Sequence, residues 1–79
     1  MTNMEKYEKA FTETFNISNN QLSELKYQDI LEWDSVGHME LIAVIEDAFN
    51  IMFDTDDIID LSSFEKGKEI LKKYNVELE

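Results

Sequence analysis

Trp33-Asp34-Ser35-Val36-Gly37-His38-Met39-Glu40-Leu41-Ile42-Ala43-Val44-Ile45-Glu46-Asp47-Ala48-Phe49-Asn50 is the stretch on which the fold of this 79-residue chain turns. At about 100° per residue, Leu41, Ile42, Ile45, Ala48 and Phe49 gather on one face, a stripe that faces a core. Val36, Met39, Glu40, Ala43, Glu46 and Asp47 fall mostly on the opposite side. Asp and Ser are residue types that cap helix starts, so the pattern predicts a helix from Asp34-Ser35 to about Asn50. Its outer face mixes modest apolar side chains with carboxylates and has no basic residue. That composition suits docking onto an apolar pocket rimmed by Lys or Arg, and it equally suits an ordinary solvated surface.

Upstream, Thr2-x-x-Glu5 has the form of a capping box. Met4, Tyr7, Phe11 and Phe15 follow at three- and four-residue steps, the spacing of one buried helical stripe. The pattern fades near Asn16, and Ser18-x-x-Gln21 is a second box before a short turn with Leu22 and Leu25. From there to Asp34 the pattern is irregular, with Tyr27, Ile30, Leu31 and Trp33 expected to anchor the segment. Connections this long in small domains are often functional. Downstream, Asp54-Thr55 opens a short helix through Ile58, Ile59 and Leu61. Ser62-x-x-Glu65 is a third box, starting a last helix with Phe64, Gly67, Leu71 and Tyr74 along one side. Gly67 is expected at a close helix crossing, and Val76 to Glu79 is expected to fray. The fold class is all-α: a small four-helix bundle of three main helices and a short third, with a long loop between the first two. It forms a single domain over residues 1–79.

Seventy-nine residues stand near the lower limit for a self-supporting core, which leaves little room for a deep substrate pocket. The chain lacks Cys, so it has neither a disulfide framework nor a Cys-based metal site. Met1 to Lys6 lacks the form of a signal peptide and no run reaches membrane-span length, so a cytoplasmic protein without membrane association is expected. The net charge of −11 is concentrated: no basic residue lies between Tyr27 and Glu65, a span that holds eleven of the eighteen carboxylates. Nucleic acid is therefore an unsuitable partner, since its binding needs cationic neutralisation of phosphates. A basic protein surface is the expected one.

Ser35 would stand at the N-terminus of a helix, where free backbone N–H groups and the helix dipole favour a phosphodiester on its hydroxyl. The plain alternative is that Asp34 and Ser35 do no more than cap the helix. Asp34-Ser35-Val36, followed by Met39-Glu40-Leu41-Ile42 and Ile45-Glu46-Asp47-x-Phe49, resembles the attachment motif of acyl and peptidyl carrier proteins. The resemblance extends over nearly the whole chain in helix order. It implies that Ser35 receives a 4'-phosphopantetheine arm from coenzyme A through a phosphopantetheinyl transferase, with Asp34 as the residue preceding the attachment serine. It further implies that an acyl or aminoacyl cargo travels as a thioester on that arm. A loading ligase and a downstream synthase or transferase would then meet helix two through basic docking surfaces. Glu40, Glu46 and Asp47 match the acidic recognition positions, and Val36, Met39 and Ala43 complete the partner-binding face. Such a carrier is a monomer, is not itself an enzyme, and has no catalytic residue and no metal of its own.

Gly37 and His38 depart from the continuation usual in fatty-acid carriers, where an acidic residue stands two positions after the serine. They look more like stand-alone carriers of specialised biosynthetic pathways. Asp34, Ser35 and His38 together hold the residue types of a hydrolytic triad, but one turn of a single helix does not give triad geometry. An unmodified acidic helical adaptor or inhibitor of a basic protein surface remains the alternative function. The two readings part at the fate of Ser35.

Overall fold

A computed structural model of the protein describes residues 1–78. Among them are four α-helices and no strand: α1 (Asn3–Phe15), α2 (Ser35–Phe49), α3 (Thr55–Asp60) and α4 (Phe64–Lys73). The all-α bundle expected from the pattern is the architecture observed. At the start of α1 the Thr2 hydroxyl accepts from the amide of Glu5, whose carboxylate accepts in turn from the amide of Thr2. Glu5 is held below the usual carboxylate range by those bonds to Thr2.

With no proline and no glycine at a helix end, asparagine provides the stops. Asn16, Asn50 and Asn75 follow α1, α2 and α4, each with left-handed backbone (φ 55°, 53° and 62°). Asparagine visits that region more readily than most residues with a Cβ. The reversal lets the next amide turn back: Ile17 bonds the Thr12 carbonyl, Ile51 that of Glu46, and Val76 that of Leu71.

The stripe of α1 supplies Tyr7, Phe11 and Phe15 to an aromatic core with Trp33 and Phe64, all at most 3% exposed. Phe15 stacks on Trp33 at 5.4 Å between centroids, while Phe11 meets Tyr7, Trp33 and Phe64 edge-on. Leu41, Ile42 and Ile45 close the core from α2 and Ile70 and Leu71 from α4. Each such side chain contributes about 1.5–3 kcal/mol when fully buried, so the core outweighs any surface ion pair. Gly67 of α4 makes room for a side chain of α1: a Cβ there would lie 2.0 Å from the Tyr7 hydroxyl, so the expected close helix crossing is a contact with the tip of Tyr7. That hydroxyl donates to the Phe64 carbonyl at 2.6 Å, and its burial raises its pKa far above the usual tyrosine range.

The connection from Asn16 to Asp34 has one 3-10 turn, at Asn19–Gln21, and is stitched to the front of α4. Tyr27 donates its amide to Ser62, and the amide of Phe64 bonds the Leu25 carbonyl, forming a bridge between Lys26 and Ser63. This pairing corrects the expected start of α4. Ser62 is held by the bridge, and the capping hydroxyl is that of Ser63, which accepts from the amide of Lys66 at 2.9 Å. Two further expectations fail. Leu31 does not anchor the loop but stands 93% exposed, while Trp33 is fully buried and Ile30 packs against the core. The tail does not fray where it is described: Val76 is buried, and Asn3 donates to the Glu77 carbonyl at 2.8 Å. Glu79, the last residue of that expectation, lies outside the described residues.

Among the described residues, one charged side chain is buried. The carboxylate of Asp57 on α3 is paired at both oxygens, by Lys73 Nζ at 2.5 Å and by the Tyr74 hydroxyl at 2.6 Å. The Lys73 bond, then the Tyr74 bond, holds its carboxyl below the usual range. Its contribution to stability is thus complete above that range and is lost as pH falls through the lowered value. In three dimensions, then, a lysine from beyond the basic-free span reaches one of the acids within it.

Candidate functional site

The site at the head of α2 is built by a division of labour between Asp34 and Ser35. Asp34 is the cap: its backbone is extended (φ −104°) and Oδ1 accepts from the amide of Gly37 at 2.8 Å. Ser35 is the first helical residue and leaves its hydroxyl exposed. Among the described residues no acceptor meets the amides of Ser35 and Val36, so two unpaired donors flank that hydroxyl. The helix dipole adds a partial positive charge there. The exposed Asp34 carboxylate offsets part of it.

Gly37 sets the depth of this turn. A Cβ there would fall 1.9 Å from the Glu32 carbonyl oxygen and 3.3 Å from Phe15. The loop backbone therefore lies directly against α2, and Trp33 enters the core two residues before Ser35. His38 joins the turn to both neighbours. Indole N–H only donates, so Trp33 Nε1, 3.0 Å from His38 Nδ1, fixes that nitrogen as an acceptor. Nε2 then carries the proton and donates to the Ile58 carbonyl at 2.7 Å. The ring stacks on Trp33 and meets Tyr27 edge-on. With both nitrogens engaged away from Ser35, His38 is a structural pin and not a base for that hydroxyl. Trp33 likewise has no exposed surface to offer a ligand.

On the outer face, Val36, Met39, Glu40, Ala43 and Asp47 are exposed, as their positions on the helix required. Leu31, in the loop before α2, and Ile59, on α3, are exposed apolar side chains elsewhere (93% and 72%), neither of which was expected at the surface. Their irregular setting carried no periodic signal. Glu46 differs from its neighbours: half-buried, it accepts from the amide of Phe53 at 2.9 Å and so closes the turn after α2. Glu46→Ala is expected to cost about 1–2 kcal/mol in urea unfolding, against within about 0.5 kcal/mol for Asp47→Ala. Equal effects would show that the Phe53 bond contributes nothing.

Comparison of the chain with family models, with curated proteins and with solved structures finds no match. No helix among the described residues is long and apolar enough to cross a membrane.

Proposed function

We propose that the protein is a carrier, modified at Ser35 with 4'-phosphopantetheine and recognised by partner enzymes through α2. The observation that carries the reading is the exposed Ser35 hydroxyl on the first turn of α2, with two unpaired amides beside it, in a motif that resembles the carrier attachment site. The residues fit the group: Asp34 satisfies the third amide of the turn and leaves Ser35 free to be modified. When bound, the group supplies a terminal thiol on which an acyl or aminoacyl cargo is held as a thioester. Ser35 anchors it, Asp34 holds the turn, and Val36, Met39, Glu40, Ala43 and Asp47 offer an apolar, acid-edged face to a transferase, a loading ligase and a downstream enzyme with basic docking surfaces. On this reading the chain acts as a cytoplasmic monomer in a specialised biosynthetic pathway and catalyses nothing itself.

Co-expression with a broad-specificity phosphopantetheinyl transferase, followed by intact-mass measurement, is the test. One pantetheinyl adduct is expected on the wild type and none on Ser35→Ala. No adduct on the folded wild type, or an adduct that persists in the variant, overturns the reading. An unmodified acidic adaptor would then be the reading to pursue.

A further inference from the structure

His38 is the only histidine of the chain, and so the only side chain whose ordinary titration falls between about pH 5 and pH 8. It stands one turn after Ser35, half-buried, with both ring nitrogens engaged. Through them it ties α2 to the loop at Trp33 and to α3 at Ile58. The two bonds make unequal demands on the ring. The Ile58 carbonyl needs a proton on Nε2, which neutral and charged imidazole both supply. The indole of Trp33 needs a bare Nδ1, which only the neutral ring has.

Charging the ring therefore sets one N–H against another across the 3.0 Å contact with Trp33. No neighbour is placed to compensate. On α2, the Asp34 carboxylate one turn back is engaged by the amide of Gly37. In the loop, Asp29 accepts from the Lys26 amide, Glu32 is exposed, and the Tyr27 ring meets the imidazole edge-on. On α3, Asp57 is taken up by Lys73 and Tyr74. None of the ion pairs among the described residues includes His38. Trp33 is fully buried, so its N–H, once refused, meets no water. A donor stranded in this way is costly.

We infer that His38 is a proton-sensitive pin: when its ring is charged, Trp33 is released and the segment leading to Ser35 loosens from α2. The pin is closed above the imidazole range and is lost as pH falls through it. It works whether or not Ser35 is modified, and it makes the stiffness of the approach to that serine depend on pH. Relief of repulsion among the eighteen carboxylates on acidification acts in the opposite sense, which calls for a control without the imidazole.

Heteronuclear NMR of the unmodified full chain, from about pH 8 to about pH 5, tests this. At the upper end the ring is expected to show a bare Nδ1 and a protonated Nε2. As the ring becomes charged, the indole N–H resonance of Trp33 should move with it, and its exchange with water should quicken about ten-fold. Over the same interval the folding equilibrium constant from urea unfolding should fall about ten-fold relative to His38→Gln, whose amide accepts and donates but does not titrate. A proton on Nδ1 at the upper end, a ring still neutral at the lower end, or a ring that charges while the indole resonance stays in place overturns the inference. All three are read on the wild type, whatever the variant does. Parallel pH dependence of the wild type and a folded His38→Gln overturns it as well.

Discussion

Trp33→Ala is expected to lose about 4 kcal/mol of stability, enough to leave the variant marginal. Large aromatic truncations in cores cost about 3–5 kcal/mol, against a total on the order of 5–15 kcal/mol for a small domain. The upper part of that range applies because four rings converge on the indole. Phe15 and His38 stack on it, Phe11 and Tyr27 meet it edge-on, and its N–H is the partner of His38 Nδ1. The collapsed aromatic layer also holds the loop to α2, so truncation strikes two elements at once. Urea unfolding followed by far-ultraviolet circular dichroism measures it. Trp33→Phe, which keeps most of the volume but not the N–H, should lose roughly half as much. A loss below about 1 kcal/mol for Trp33→Ala would mean that the loop does not depend on this anchor.

Gly37→Ala sets two effects of opposite sign against each other. Alanine favours the helix by roughly 1 kcal/mol. Its Cβ, however, would meet the Glu32 carbonyl at 1.9 Å, and a backbone carbonyl has no rotamer by which to withdraw. Relief requires the whole segment from Gln28 to Trp33 to lift, a segment closed on itself by the bond from the Gln28 amide to the Trp33 carbonyl. Overpacking of this kind costs about 1–3 kcal/mol, occasionally more. The collision wins, and the variant should be less stable by about 2 kcal/mol. The urea midpoint and the near-ultraviolet dichroism of Trp33 report it together. An unchanged or raised midpoint would show that propensity dominates and that the loop does not press on α2.

Most of the fold was legible because local signals agreed with tertiary ones. Thr2 with Glu5, and the spacing of Tyr7, Phe11 and Phe15, named the first helix and its buried side. Asp34 and the stripe of Leu41, Ile42 and Ile45 did the same for the second. What escaped depended on partners distant in sequence. Ser62 and Ser63 are equally good caps, and only the bridge to Lys26 decides between them. Nothing local distinguishes Glu46 from Asp47; the turn at Phe53 does. The pairing of Asp57 with Lys73 spans α3 and α4, and the choice of Ile30 and Trp33 over Leu31 as the residues that turn inward follows no local period. At the site, the position of Ser35 was readable, whereas the division between cap and free hydroxyl needed the backbone. The sequence argued only that His38 is no triad base, and its bonds to Trp33 and Ile58 show what it does instead.

Trp33 is the only tryptophan of the chain. It is sealed from water, stacked on an imidazole, and placed two residues before Ser35. The molecule thereby carries a native optical reporter at the one place where its chemistry is proposed to happen. Changes in emission wavelength or intensity would register movement of the loop, of His38 or of α3 without any added dye. Modification, cargo loading and partner encounter could each be timed in the unaltered protein.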